Sequence, residues 1–141
     1  MYDSFGLYWN GKWQKPSSGK SIPVISPVTE EVLGEAPAAS EDDTRNAIES
    51  AVSGTRQWRN VQAWERSRML SRVADVMREH MGKMARWLTL ELGKLLDQSK
   101  GEVGMAIEQF EWYAEEAKRI YGHVLESRQP HGKVLIQHEP V

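Results

Sequence analysis

Gln98-Ser99-Lys100-Gly101-Glu102-Val103-Gly104-Met105-Ala106-Ile107-Glu108-Gln109-Phe110-Glu111-Trp112-Tyr113-Ala114-Glu115-Glu116-Ala117-Lys118-Arg119-Ile120-Tyr121-Gly122 is the stretch that decides the fold class. Val103, Ala106, Ile107, Phe110, Tyr113, Ala114, Ala117, Ile120 and Tyr121 recur at the i, i+3, i+4 spacing of one helical face. The spacing predicts a long helix over about residues 98–121 with that face in a core, ended at Gly122 by a left-handed residue. Met105 and Trp112, seven residues apart, share a second face that is apolar without belonging to the first. That face is expected to touch something outside the first 120 residues.

Upstream, the same period predicts three more helices. One over about residues 81–92 buries Met84, Ala85, Leu88 and Leu92, with Gly93 as its stop. One over about 63–79 buries Leu70, Val73, Ala74 and Met77. The first, over about 41–58, places Ala47, Ile48, Ala51, Val52, Thr55 and Trp58 on one stripe expected to be buried. Ser40 is its N-cap, with an acid three residues on and Glu41-Asp42-Asp43 suited to the helix dipole. Before Ser40 the period is two. Leu7-Tyr8-Trp9 and Lys12-Trp13-Gln14 flank Asn10-Gly11, a pair that takes the positive φ angles of a type I′ hairpin. Two further short strands, about residues 22–26 and 31–36, complete a small β-meander. Beyond Gly122 a polar loop leads to a strand at about residues 133–138. The expected organisation is α+β: a meander over 1–39, four helices over 40–122, and a loop with the start of a strand over 123–141. A chain that stops straight out of a strand is expected to be a truncated unit.

The composition sets the class. With 141 residues, 40% hydrophobic and 27% charged, the chain can bury a core and is too short for two ordinary domains. Its 18 Lys and Arg against 20 Asp and Glu give no positive field to hold a phosphate backbone, so nucleic acid is not an expected partner. The absence of cysteine excludes disulfides, Cys-ligated metal and a cysteine nucleophile within these residues. No stretch approaches the ~20 apolar residues of a membrane span and the start resembles no leader, so no membrane is expected and the location is read as cytoplasmic.

Short motifs carry little chemistry by themselves. Gly19-Lys20-Ser21 lacks the earlier glycine of a phosphate loop, since that position is Gln14. Ser17 and Lys20 have the spacing of an acyl-enzyme pair but stand in a Pro/Ser/Gly loop, where a solvated turn is the simpler reading. Gly101-Glu102-Val103-Gly104 lies inside a helix and is no dinucleotide fingerprint. His80, His123, His131 and His138 share no metal-ligand spacing. The six tryptophans, without a basic groove, are packing residues.

Taken in order, several segments resemble the N-terminal portion of the aldehyde dehydrogenase superfamily. They are Trp9-Asn10-Gly11-Lys12-Trp13, Ser26-Pro27-Val28-Thr29-Glu30-Glu31-Val32-Leu33-Gly34, Trp64-Glu65-Arg66, Glu91-Leu92-Gly93-Lys94, Gly101-Glu102-Val103, residues 112–122, and Glu139-Pro140-Val141. The stretch from Ala114 to Gly122 is most similar to the succinate-semialdehyde dehydrogenase branch.

The resemblance implies part of the α/β aldehyde dehydrogenase fold and an NAD(P)-dependent oxidation of an aldehyde to a carboxylic acid. In that family a cysteine thiolate attacks the carbonyl, an asparagine and a backbone amide hold the oxyanion, and a glutamate activates the hydrolytic water. Those groups match no position of this chain, which is therefore expected to be inactive alone, with NAD or NADP bound only by the full enzyme. The resemblance places Met105 on an aldehyde access tunnel. It also places the backbone carbonyls of Val24 and Ile25 and the side chain of Glu91 at a monovalent cation, although the family often has other residues at 24 and 26. The implied partners are the remainder of the enzyme, a second copy in a homo-oligomer, and a small aldehyde. A different reading is a stand-alone helical interaction or oligomerisation module derived from the enzyme.

Overall fold

The computed structural model describes residues 6–139. Residues 1–5, on which the reading of a leader-free start rests, and Pro140 and Val141 of the last family-like motif lie outside the described residues.

The chain opens with β1 (Leu7–Trp9) and β2 (Lys12–Gln14), paired antiparallel with Trp9 opposite Lys12. Asn10 and Gly11 make the turn at φ 52° and 73°, as the Asn-Gly signal predicts. Tyr8 and Trp13 meet edge to face across this ladder, ring centres 5.0 Å apart. β3 (Ser21–Ile25) and β4 (Val32–Pro37) form a second antiparallel pair whose register shifts between Val24 and Ile25. The expected meander is instead two separate two-stranded ladders, with no pairing of β2 to β3 among the described residues. The linker explains this: Gly19 N–H closes a turn on the Pro16 carbonyl, and Ser17 is drawn away to Asp43.

Four helices follow among the described residues: α1 (Glu41–Trp58), α2 (Ala63–Glu79), α3 (Met81–Leu92) and α4 (Leu96–Glu116). The first three have the bounds their periodicity predicts. At α1 the capping box is complete: Asp43 N–H donates to Ser40 Oγ, and Ser40 N–H donates to the Asp43 carboxylate. Gly93 ends α3 at φ 71°, as expected.

The end of α4 corrects the sequence reading. The helix stops at Glu116, five residues before Tyr121, and tightens through i→i−3 bonds from Lys118 to Glu115 and from Arg119 to Glu116. Ile120 and Tyr121, beyond its end, are accordingly exposed, and Tyr113, within α4, also faces outward. Gly122 serves a different purpose. It immediately precedes β5 (His123–Glu126), at a place where a Cβ would fall on the carbonyl oxygen of Ile136 in β6 (Lys133–Ile136). The segment read as a polar loop therefore contains a strand, and β5 and β6 form a hairpin.

The core lies where α2, α3 and α4 converge. Ala74, Ala85, Val103 and Ile107 are buried there, with Met77, Met81, Met84 and Phe110 packed around them. Small residues let the helices approach closely: Ser99 is fully buried and its hydroxyl lies 2.9 Å from that of Thr89. The apolar stripe of α1 is a second correction. It has the expected spacing, yet Ile48 is 59% exposed and Val52 and Trp58 are also open, because β1 alone among the strands and helices packs against it appreciably. Val73 and Leu92, expected in the core, also face outward.

Candidate functional site

α4 presents two faces. Val103, Ile107 and Ala114 turn into the core, while Met105 and Trp112 stand 61% and 64% exposed on the opposite side, as their spacing implies. The helix is fixed at several points. Lys94, in the α3–α4 turn, ion-pairs with Glu102, the Thr89 and Ser99 hydroxyls join α3 to α4, and Arg78 of α2 pairs with Glu111. Met105 is thus an exposed thioether on a helix anchored one turn earlier at Glu102.

Val24 and Ile25 lie at the register shift of β3, a place where a ladder leaves backbone groups unpaired. Glu91 is exposed in the last turn of α3. The structure brings their segments to adjoining positions. A Cβ on Gly93, two residues after Glu91, would come within 2.8 Å of Val28 Cγ2, three residues after Ile25. Carbonyl oxygens and a carboxylate are the donor chemistry of a hard cation. Among the described residues no three His, Asp or Glu side chains are grouped to hold a metal ion. His138 Nδ1 is 2.9 Å from the Tyr121 carbonyl oxygen, and His80 joins α2 to α3.

Sequence spacing put Ser40 and Asp43 together at the start of α1 and missed Ser17, which completes a polar cluster there. Ser17 N–H and Oγ, Ser40 N–H and Oγ all donate to the buried carboxylate of Asp43. The Ser40 amide is the main cause holding the Asp43 pKa below its ordinary value; burial opposes it and the Ser17 amide assists. Ser17 is thereby committed to Asp43, which ties the loop to the start of α1. The other missed residue is Arg66. Its guanidinium donates to the Trp58 and Arg59 carbonyls at 3.1 and 3.2 Å and lies 5.5 Å from the Trp58 ring centre, capping α1 from α2. Only its place in Trp64-Glu65-Arg66 marked it. Near the end of α4, Lys118 hydrogen-bonds Glu115 and lowers its pKa, while reaching over the Trp64 ring at 5.3 Å.

A dinucleotide is ordinarily held where a parallel strand turns into a helix N-terminus. All three strand pairs described here are antiparallel, and no glycine lies in the short β4–α1 connection, so these residues do not fit that group. No helix among the described residues is long and apolar enough to cross a membrane.

The family model for the aldehyde dehydrogenase family matches residues 13–141. This chain belongs to the aldehyde dehydrogenase family. Among its aldehyde dehydrogenase relatives, the glutarate-semialdehyde dehydrogenase of Pseudomonas putida is 40% identical over 134 residues, which is 95% of this chain and 28% of that protein. The NADP(+) succinate-semialdehyde dehydrogenase of Escherichia coli K12 is 37% identical over 132 residues, 94% of this chain and 27% of that protein. The crystal structure of the succinate-semialdehyde dehydrogenase from Burkholderia pseudomallei superposes with a TM-score of 0.88 at 34% identity, covering 93% of this chain and 27% of that one. The chain therefore spans under a third of the length of the relatives it matches. The α+β arrangement of four helices and short strand pairs is a part of the larger aldehyde dehydrogenase fold.

Proposed function

We propose that the chain is the N-terminal part of an NAD(P)-dependent dehydrogenase that oxidises a small aldehyde bearing a terminal carboxylate, of the succinate- or glutarate-semialdehyde class, to the dicarboxylic acid. The observation that carries this reading is the 40% identity, sustained over 95% of the chain, to a protein of that class. In this reading Met105 contributes an apolar wall of the aldehyde access tunnel, which its exposure on an anchored helix permits. The Val24 and Ile25 carbonyls and the Glu91 carboxylate would hold a monovalent cation between β3 and the end of α3. The nucleotide, when bound, accepts the hydride, and it is held by residues outside this chain.

With no cysteine in 141 residues, the thiolate that attacks the aldehyde in this family must come from elsewhere, so the chain alone is inactive. Its partners are the remainder of the enzyme and a second copy of it in the cytoplasm. The β5–β6 hairpin supports self-association, because Val124, Leu125, Val134, Leu135 and Ile136 are all exposed on a two-stranded ladder with open edges.

The test begins with the source gene, read in frame beyond the Val141 codon. The product of the whole frame is then assayed with succinate and glutarate semialdehydes and with each nicotinamide cofactor, beside residues 1–141 alone. A continuing frame that encodes a cysteine, turnover by its product and none by the 141-residue chain are expected. Turnover by the short chain, or none by the whole product with either substrate, overturns the reading. A stop directly after Val141 would put the interaction-module reading in its place.

A further inference from the structure

We propose that Asn10-Gly11, in the β1–β2 turn, is a self-modifying site at which the native fold permits conversion of Asn10 to isoaspartate. Both residues are exposed, and no heavy atom lies within 4 Å of the place a Cβ would take on Gly11. The chemistry needs the Gly11 backbone nitrogen to reach the Asn10 side-chain carbonyl carbon. The observed turn has positive φ at both residues, 52° and 73°, the signature of type I′. Rotating its central peptide converts it to type II′, the other turn that two-residue hairpins use. That rotation leaves Asn10 at positive φ and carries its ψ to about −120°, while Gly11 moves to negative φ. There the Gly11 nitrogen faces Asn10 Cγ; Gly11 changes the sign of its φ freely, and the steric cost of the change falls on Asn10, at the position where type II′ favours glycine.

The step balances with water alone. Gly11 N loses its proton to base as the N–Cγ bond forms, the Cγ–Nδ2 bond breaks, and ammonia leaves with a proton from solvent. Water then opens the five-membered imide. Addition at Cγ gives aspartate, whereas addition at the Asn10 backbone carbonyl gives isoaspartate, with an extra methylene in the main chain and one more negative charge.

The rest of the molecule makes this site selective. Asn46 is held inside α1 and is followed by Ala47, whose Cβ hinders the attacking nitrogen. Asn60 precedes the β-branched Val61, and its side-chain amide donates to the Arg56 carbonyl at 3.0 Å. Asn10 has an anchor of a different kind: its backbone N–H donates to Ser50 Oγ of α1 at 2.9 Å. That bond restrains the turn without protecting the side chain. An added main-chain methylene would shift Trp9 from its place opposite Lys12 and release this link to α1.

The experiment is incubation of the native protein at pH 6 and pH 8, followed by peptide mapping and labelling by a protein-isoaspartate methyltransferase. Isoaspartate is expected at residue 10, faster at pH 8, and at least about tenfold ahead of residues 46 and 60, whose backbone is fixed or hindered. In Ser50→Ala, a surface change that leaves the core intact, the rate at residue 10 is expected to rise several-fold. Equal rates at residues 10, 46 and 60, or no product at residue 10 while the urea-unfolded chain forms it, overturn the proposal. An unchanged rate in Ser50→Ala overturns the part played by the α1 anchor.

Discussion

The α1 helix and the α2–α3–α4 unit carry apolar stripes of similar regularity, and the structure treats them in opposite ways. Ile107 of α4 is 5% exposed among Ala74, Ala85 and Val103, whereas Ile48 of α1 faces outward with Val52 and Trp58. Periodicity states which side of a helix seeks a partner; it does not supply one. In this chain α2, α3 and α4 cover one another, whereas α1 is met appreciably only by β1 among the described strands and helices, and by separate ties: Asn10 to Ser50 near its middle, the Asp43 cluster at its start and Arg66 at its finish.

The contrast is broken most sharply by paired truncations. Ile107→Ala is expected to cost roughly 2–5 kcal/mol in urea unfolding, the range for deleting a buried aliphatic side chain. Ile48→Ala is expected to cost less than about 0.5 kcal/mol, as for an exposed position. A large effect of Ile48→Ala would mean that α1 is covered in solution.

A smaller effect is expected where the β3–β4 connection meets the end of α3. Gly93→Ala forces a Cβ onto a residue at φ 71° and to within 2.8 Å of Val28 Cγ2. The left-handed backbone alone sets a cost of roughly 1–2 kcal/mol. A companion Val28→Ala change in the same background would recover the steric part and leave the backbone part, which calorimetry can separate.

A change smaller than Ile107→Ala tests the tie at the start of α1. Ser40→Ala removes the N-cap and should cost about 1 kcal/mol. The same cluster gives a pH signature. The folded pKa of Asp43 lies below its ordinary value of 3.8, so its contribution is fully present above that value and is lost as pH falls through the folded pKa. Thermal unfolding between neutral pH and pH 2 should therefore lose stability on the acid side. Asp43→Asn should flatten that loss; an unchanged acid limb would show that Asp43 is not its source.

Signals that act within one turn of chain were legible in the sequence. The Ser40 cap, the Asn10-Gly11 turn, the left-handed Gly93 and the bounds of α1, α2 and α3 all depend on residues within about four positions of one another. Met105 and Trp112 were placed on an outward face by the same local geometry. Gly122 was misread because two structures use the same residue: a helix stop and a close strand crossing both want glycine, and only the position of Ile136 distinguishes them. Nothing nearby in the chain announces that Arg66 will reach the end of α1, or that Ser17 will join Asp43 from 26 residues away.

By itself the sequence determined the helical segments and their apolar faces, the hairpin turn, the absence of a thiol and the resemblance to a family. Tertiary structure alone decided which of those faces became core, which ladder each strand joined, where α4 stopped and which side chains tied α1 down. The physical reason is one of range. Backbone conformation is set by neighbours along the chain, whereas burial and long-range hydrogen bonds require a second segment to arrive, and its arrival depends on the packing of the whole molecule.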